Sequence, residues 1–543
     1  MNRRNFVAGS FIGATGSVLA HQIEQNQTQN QALNQVHNPD INQIIQSNPP
    51  CPEIKPEKKV FNFSEVIKIA ETISKQSYKP EPLKLVTPFA NLSYDHYRAI
   101  RFRRNKDPLR QSAKNSSFFG LDLLPPGRYY QDRVRIFLVE PNAEQATEIP
   151  FSLDRFDFDP NFFVRDSLNL DEQALKGLSY SGFRLRFPLN YREIDDEFLV
   201  FQGASYFRAV AANTLYGLSA RGLAIKTGKP EGEEFPRFSR FWIYRPDNSA
   251  RSVQIDALLE SESVTGAYSF LVFPGQETIF TVHSVLFPRK KMVDYGIAAL
   301  TSMYNFSPCR RRNVDDYRNA VCDSNGLAMH TGAGARLWRS LHNPQVLQYS
   351  AFMDKNPRGF GLIQRLRDFS DYQDFEAKYE KRPSAWIEPL SDWDRGNVSL
   401  IEIPTNTEFN DNIIAFWQGA EPLEAGKRYE FAYNLIWSGT GENFADRAKI
   451  KNCRIGKSVN NPENFTVVLD YEFKNPVNIN DCQFVATASR GETIAPHLID
   501  IGSNIIRAAF EYRPVKNENA ELQAAISSAG NPIGETWLYR WTN

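Results

Sequence analysis

Residues 182–201 read GFRLRFPLNYREIDDEFLVF, two apolar runs separated by a segment rich in Pro, Asn and Asp. In the first run, apolar side chains alternate with arginines, as in a strand with one buried face. Similar short runs recur from about residue 127 onward, for example at 134–138, 241–244 and 278–282. Helical spacing is nearly absent after residue 100. The pattern predicts a mainly all-β protein built on a large antiparallel β-sandwich.

The C-terminal part continues this pattern on a smaller scale. A Pro/Gly turn lies at 421–426, and about seven more strand-like runs fill residues 428–543. That length fits one immunoglobulin-like sandwich. We therefore predict a large β-sandwich over residues 52–420, which would carry the binding or catalytic site, and an immunoglobulin-like domain over residues 425–543.

The N-terminus has the features of an export signal. Arg3 and Arg4 precede a weakly hydrophobic run that ends at Ala20 and is too short to cross a bilayer comfortably. We predict a twin-arginine signal over residues 1–20, cleaved near Ala20, and a periplasmic location. Residues 21–51 are roughly half Asn and Gln, a composition that predicts a disordered tether.

Two short helices are predicted before the strands begin. Residues 62–76 start with an Asn cap, have Glu65 three positions later and continue with apolar side chains at helical spacing. Residues 93–98 are the second candidate.

Composition excludes several classes of function. Lys plus Arg and Asp plus Glu both number 63, so no net positive field is available to attract nucleic acid. The seven histidines are scattered singly, and neither they nor the cysteines have the spacing of a metal site, so we predict no metal and no cofactor. The five cysteines leave two pairings open, Cys309 with Cys322 and Cys453 with Cys482.

One stretch, residues 356–417, combines aromatic side chains, arginines and carboxylates at high density. Sugars suit such a mixture, because they offer apolar faces to aromatic rings and hydroxyls to charged groups. Most of its acids are interpreted as solvated or paired. Glu402 alternates with apolar neighbours in a strand and so is a candidate for a groove.

Two aspartates stand out as candidate acids. Asp411 ends a polar loop directly before an apolar strand, where partial burial would favour the protonated form that a general acid needs. Asp323 lies in the run CDSNG at 322–326. From spacing alone, both aspartates are better explained as turn formers. Tyr379 is surrounded by charge, which favours contact with a ligand or an arginine, whereas Trp386 is explained at least as well by core packing.

Longer motifs give the chain a family resemblance. They are 199–208 (LVFQGASYFR), 217–224 (GLSARGLA), 263–268 (SVTGAY), 300–303 (LTSM), 356–362 (NPRGFGL), 379–384 (YEKRPS) and 411–413 (DNI), with a weaker match at 535–539 (ETWLY). The chain resembles the periplasmic glucan biosynthesis proteins, the OpgG/OpgD family, and is more similar to the OpgD branch because of its twin-arginine signal.

The resemblance implies a galactose-mutarotase-like β-sandwich followed by an immunoglobulin-like domain, and an inverting glycoside hydrolase acting on β-1,2-linked glucan. By motif, Asp411 falls on the general acid and Asp323 on the general base. Glu408 and Tyr379 fall near the cleaved bond, and Arg382 and Trp386 are added as substrate-binding candidates. The family often has His-Asp-Ser-Asp where this chain has Cys-Asp-Ser-Asn at 322–325, and the loop 439–456 is short for an OpgD-like member.

Two functions therefore remain open. The first is an endo-acting β-1,2-glucan hydrolase or transglycosylase that shapes the glucan backbone. The second is a non-catalytic glucan-binding or assembly factor that works with an inner-membrane glucan synthase. Neither involves nucleic acid, and the sequence leaves homodimer formation open.

Overall fold

The structure is a computed structural model that describes residues 60–110, 117–164, 170–311, 314–441 and 447–542. The predicted signal (1–20) and the predicted tether (21–51) lie outside the described residues. None of the helices within the described ranges has the length and apolar character needed to cross a bilayer.

The described helices are short, and the first two confirm the sequence predictions. They are α1 (Phe63–Ser74), α2 (Tyr94–Arg98) and α3 (Glu172–Gly177). The Asn62 side chain accepts a hydrogen bond of 3.0 Å from the Ser64 N–H and so caps α1. Val66 and Ala70 form the buried side of α1, which packs on one of the large sheets.

Strands make up most of the described chain. In chain order, the first half has β1 (Ile100–Phe102), β2 (Gly120–Leu124), β3 (Arg135–Val139), β4 (Thr147–Glu148), β5 (Phe156–Phe158), β6 (Gly182–Phe187), β7 (Asp196–Gln202), β8 (Tyr206–Ala209), β9 (Ser219–Ile225), β10 (Arg237–Tyr244), β11 (Val253–Glu260), β12 (Val264–Phe273), β13 (Glu277–Pro288), β14 (Tyr295–Ser302), β15 (Tyr304–Phe306) and β16 (Val321–Cys322). The second half has β17 (Gly326–His330), β18 (Arg336–Ser340), β19 (Gln348–Lys355), β20 (Gly359–Ile363), β21 (Ser384–Pro389), β22 (Arg395–Glu402), β23 (Ile413–Gly419), β24 (Tyr429–Ser438), β25 (Lys449–Lys457), β26 (Phe465–Glu472), β27 (Cys482–Ala488), β28 (Glu492–Asp500), β29 (Ile505–Arg513), β30 (Ala520–Ser528), β31 (Asn531–Pro532) and β32 (Thr536–Trp541).

Two large sheets pack face to face, which confirms the all-β sandwich fold. One has nine described strands in the order β19-β22-β23-β14-β9-β8-β7-β6-β2. The other has fifteen described strands, and its main path is β27-β30-β32-β18-β17-β20-β21-β24-β13-β12-β11-β10-β3-β4, with β31 beside β30. Phenylalanine rings fill the space between the sheets: Phe201 of β7 lies 5.2 Å from Phe241 of β10 and 5.3 Å from Phe270 of β12, measured between ring centroids.

Residues 182–187 form a strand with an apolar and a polar face, as predicted, but the polar face of β6 is not exposed to solvent. Phe183 and Leu185 point into the core. Arg186 is also buried, with its guanidinium 3.1 Å from Asp107 and 2.9 Å from Asp122. The arginines that the sequence suggests as a solvated face are therefore held by carboxylates from other segments.

The predicted domain division near residues 420–425 stays a prediction, and the fifteen-stranded sheet spans it. β24 lies inside the predicted immunoglobulin-like range, yet it pairs with β21 on one side and β13 on the other, within this sheet. β27, β30 and β32, further along the chain, belong to the same sheet. A strand is built from the same alternation in either domain, so its pattern does not reveal which sheet it joins.

The C-terminal region has two layers of its own. The sheet β25-β26-β29-β28 packs against β27, β30 and β32, and both layers share one apolar cluster. β32 pairs in parallel with β18, with Trp537 opposite Trp338, so this region extends the large sheet. The immunoglobulin-like topology and the galactose-mutarotase-like relationship stay predictions.

The cysteine pairing differs from both pairs considered from the sequence. Cys309 is bonded to Cys453, with 4.6 Å between the Cα atoms, so this bond leaves out both Cys322 and Cys482. The reason is spatial. Cys309 and Cys453 both border the C-terminal apolar cluster, whereas Cys322 points into the core of the large sandwich.

Reduction of the Cys309–Cys453 bond is expected to lower the free energy of unfolding by about 2–5 kcal/mol, because the bond spans 144 residues and restricts the unfolded chain. Urea unfolding with and without reductant measures the change, and Cys482→Ser is the matched control. Mass spectrometry of an unreduced digest should find the 309–453 linked peptide. Peptides linking 309 to 322, or 453 to 482, would contradict this pairing.

Candidate active site

The two candidate acids lie on segments that are distant in sequence and are tied to one short segment. Asp323 follows β16, which pairs with β15 in a two-stranded sheet, and its N–H donates to the carbonyl of Met303 over 2.8 Å. Asp411 lies two residues before β23 of the nine-stranded sheet, and its neighbour Asn412 accepts from the Tyr304 N–H over 2.8 Å and donates to the Tyr304 carbonyl over 3.0 Å. The consecutive residues Met303 and Tyr304 therefore bind the backbone of Asp323 and the side chain next to Asp411.

Each acid faces an arginine. The Arg208 guanidinium, on β8, lies 3.7 Å from Oδ2 of Asp411. The Arg382 Nε lies 3.6 Å from Oδ1 of Asp323. The side chains of both aspartates retain about a tenth of their surface exposed, 12% for Asp411 and 11% for Asp323, so both acids are partly desolvated but reachable.

Arg382 is fixed by its surroundings before any ligand arrives. It donates to the carbonyls of Tyr216 and Ala377, the latter over 2.8 Å. Its stem passes over Gly217, where a Cβ would come within 3.0 Å of the arginine Cβ. Its guanidinium also lies 5.5 Å from the centre of the Tyr379 ring. The glycine in the 217–224 motif therefore makes room for this arginine.

Tyr379 and Glu408 are in direct contact. The Tyr379 ring is fully buried, and its hydroxyl donates to Oε2 of Glu408 over 3.3 Å. The backbone carbonyl of Tyr379 accepts from the Gln364 side chain, which also donates to the carbonyl of Cys322. The amide of Gln364 thus ties the Tyr379 turn to the segment that carries Asp323.

Glu408 also belongs to a cluster of charges around Arg318, which we call the Arg318 hub. One guanidinium nitrogen donates to Asp374 over 2.7 Å and to Glu408 over 2.8 Å, and another contacts Asp316 over 2.8 Å. The bond from Arg318 holds the pKa of Asp316 below its usual range. Burial acts to raise the pKa of Asp374, but the Ala377 N–H and Arg318 outweigh it and the pKa is lowered. Asp316 and Asp374 are therefore held in their ionised forms.

Cys322 and Asn325 flank the candidate base where the family often has His and Asp. The Asn325 side chain binds backbone groups. Asn325 accepts from the N–H groups of Arg365 and Leu366 over 2.6 and 3.0 Å and donates weakly to the sulfur of Cys322. Ser324 contacts the Ser302 hydroxyl over 2.9 Å. Asn325 is thus a structural bridge between the Asp323 turn and the end of β20.

Two of the residues considered from the sequence lie elsewhere. Trp386 is buried on β21, packs over Gly359 and Gly361 and belongs to the apolar cluster shared with the C-terminal region. Its ring packs in this cluster, and its role as a substrate-binding residue stays a prediction. Glu402 does not face a groove either: it is fully buried and bonded to Arg339 and to the backbone N–H of His342, each over 3.0 Å.

A cleft of about 770 Å³ lies beside the Tyr379–Arg382 turn. Glu380 and Lys381 of that turn line it. Hydroxyl, amide and charged groups make up most of the remaining wall, from Asn213, Thr214, Gln276, Glu277, Arg367 and Thr440. Such a lining suits a ligand rich in hydroxyls.

Arg318 is the functional neighbour that sequence reasoning missed. It stands in a polar loop with no motif around it, and only the fold brings three carboxylates to it. Arg208 stands inside the motif 199–208, yet nothing in the spacing indicates that it faces Asp411.

Known proteins are similar to this chain over most of its length. The sequence model of the family described as "Periplasmic glucan biosynthesis protein, MdoG" matches residues 61–541. The chain is 41% identical over 486 residues to "Glucans biosynthesis protein G" of Vibrio cholerae serotype O1 (strain ATCC 39541 / Classical Ogawa 395 / O395), covering 89% of this chain and 87% of the relative. It is 40% identical over 491 residues to the protein of the same name from Shewanella baltica (strain OS195), with the same coverage.

Proposed function

This chain belongs to the MdoG family of periplasmic glucan biosynthesis proteins, and from that premise we propose that it is an inverting endo-β-1,2-glucan hydrolase, or a transglycosylase, that shapes the glucan backbone. The observation that carries the proposal is that the consecutive residues Met303 and Tyr304 bind the Asp323 N–H and the side chain of Asn412, the neighbour of Asp411, and so tie both aspartate segments to one place. Placement in the OpgD branch, and export by the twin-arginine pathway, stay predictions.

In the proposed mechanism, protonated Asp411 donates its proton to the glycosidic oxygen as the C1–O bond breaks. Ionised Asp323 takes a proton from water on the opposite face, directly or through a chain of hydroxyls, as the new C1–O bond forms. If a sugar hydroxyl replaces that water, the same proton transfers give glycosyl transfer. Inversion through a directly bound water needs carboxyl groups about 6.5–9.5 Å apart, and a larger separation needs the hydroxyl chain.

Each arginine places hydrogen-bond donors beside one of these aspartates. Arg382 lies 3.6 Å from Asp323, and Arg208 lies 3.7 Å from Asp411. A sugar chain that covers Asp411 would offer its own hydroxyls to the Arg208 donors, so we propose that substrate binding draws Arg208 from Asp411 onto the sugar.

A binding or assembly factor is the second candidate function. It is favoured by the neighbours of Asp323, because Cys322 and Asn325 offer no carboxylate or imidazole to relay a proton. Such a protein would hold β-1,2-glucan unchanged beside an inner-membrane glucan synthase. Homodimer formation is compatible with either function.

Incubation of the purified protein with linear β-1,2-glucan, followed by size analysis of the glucan, separates the two functions. Shortened or redistributed chains are expected from the enzyme. Unchanged chain length with measurable binding would support the assembly factor, and absence of both would contradict the proposed substrate.

Tyr379→Phe is expected to lower kcat/KM for glucan cleavage about 10- to 100-fold, because it removes the hydrogen bond to Glu408, which the proposal places near the cleaved bond. Steady-state kinetics measures the loss, and thermal unfolding checks the fold. Tyr129→Phe, at a tyrosine that is 55% exposed, is the matched control. Equal loss in both variants would remove Tyr379 from the site.

A further inference from the structure

Exposed aromatic rings surround the Arg318 hub. Tyr317 precedes Arg318, Phe375 follows Asp374 and Phe409 follows Glu408, and these rings are 77%, 78% and 40% exposed. Because Arg318 contacts Asp374 and Glu408 directly, the three adjoining aromatic residues belong to one region of the surface.

A fourth ring joins them. Phe369 is 40% exposed, and its ring centroid lies 4.5 Å from that of Phe375. The Asn319 side chain donates to the carbonyl of Ser370 over 2.9 Å, which fastens the Tyr317 loop to the Phe369 turn. We call Tyr317, Phe369, Phe375 and Phe409 the aromatic platform. Single exposed rings are ordinary on protein surfaces, but four on segments joined by one ionic hub form a patch.

The bonds of the hub hold together the segments that carry the platform rings. Its bonds join segments that are distant in sequence, around residues 316–319, 374 and 408. The bond to Asp316 raises the pKa of Arg318, and the other carboxylates add to this effect while burial acts against it, so neutral pH does not loosen the hub. Rings held in place in this way lose little freedom when a ligand stacks on them.

We propose that the aromatic platform stacks on glucose rings of the glucan chain beyond the point of cleavage. This rests on the proposed function. The platform is continuous with the candidate site, because Glu408 bonds Tyr379 and lies three residues before Asp411. The C–H faces of pyranose rings pack on aromatic faces, and hydroxyls at their edges can bond polar groups such as Asn319.

Charge favours a sugar over a bilayer at this surface. The hub contains three carboxylates, Asp316, Asp374 and Glu408, against one guanidinium, so its net charge is about minus two when ionised. Surfaces that bind anionic lipid pair exposed apolar rings with Lys and Arg instead. A chain of sugars is neutral, so the negative charge of the hub does not repel it.

The platform should matter most for long chains, because its rings contact sugars remote from the cleaved bond. Tyr317→Ala and Phe375→Ala are each expected to weaken binding of long linear β-1,2-glucan about tenfold, and to weaken binding of short oligosaccharides much less. Calorimetric titration in the full-length Asp411→Asn background prevents cleavage during the measurement. Phe235→Ala, at a phenylalanine that is 51% exposed and outside the platform, is the matched control.

Selective weakening of long-chain binding in the platform variants, with Phe235→Ala unchanged, supports the proposal. Unchanged long-chain binding in both platform variants, while the parent protein binds glucan, overturns the platform and leaves the proposed function standing. Unchanged glucan binding with a changed oligomeric state overturns it in favour of an interface between copies of the chain. No glucan binding by the parent overturns the proposed function and the platform together.

Discussion

Asp411→Asn is expected to slow cleavage of linear β-1,2-glucan by about 10²–10⁴-fold, because an amide cannot donate the proton that the glycosidic oxygen needs. Asp323→Asn is expected to cause a loss of similar size by removing the base. The effect of the double variant should be much smaller than the product of the two single effects, since both residues serve one step. Initial rates of reducing-end release measure these losses.

The control for these variants is Asp392→Asn, the same change at an exposed position. Circular dichroism and unfolding curves should show that all variants keep the fold, because the amide of Asn has nearly the same size and shape as the carboxyl group of Asp. Wild-type rates in purified Asp411→Asn would remove this residue as the acid. Wild-type rates in Asp323→Asn would assign the base to another group.

Glu402→Gln is expected to destabilise the protein by about 3 kcal/mol at pH 7 without touching the candidate site. Burial acts to raise the pKa of Glu402, but Arg339 and then His342 outweigh it and lower the pKa to about 2. An amide in this place leaves the buried Arg339 without its counter-charge. Urea unfolding at pH 7 measures the difference.

The sign of the pH dependence follows from the lowered pKa. The ionised Glu402 contributes its full stability above its ordinary pKa of 4.5, and the contribution is lost as the pH falls toward 2. The gap between wild type and Glu402→Gln should therefore shrink between about pH 5 and pH 2. Glu463→Gln, at an exposed glutamate, should match wild type throughout. A gap that stays constant over this range would show that the loss at pH 7 is not due to the charge of Glu402.

Much of the fold follows from local pattern, and the exceptions have a common cause. The alternation in 182–187 and the Asn62 cap correctly predict β6 and α1, because each depends on neighbours in sequence. β24, the Cys309–Cys453 bond and the burial of Glu402 depend on which distant segments become neighbours. The spacing of residues along the chain does not indicate which distant segments come into contact.

The candidate site, like the fold, can be predicted from the sequence only in part. Spacing alone leaves Asp323 and Asp411 as turn formers, and their candidate roles come from family motifs. The structure adds the physical link: Met303 binds the Asp323 N–H, and Tyr304 binds the Asn412 side chain beside Asp411. Arg318 shows the limit of motif reading, since the fold brings Asp374 and Glu408 to it from distant segments, in addition to its near neighbour Asp316.

The most direct test of the two-aspartate site is a proton NMR time course of the wild-type protein with linear β-1,2-glucan. The proposed inverting pair predicts new reducing ends that appear first as the α-anomer and then equilibrate. New ends that appear first as the β-anomer would contradict the roles assigned to Asp411 and Asp323. Bound glucan that yields no new ends and no redistribution of chain length would contradict the catalytic function itself.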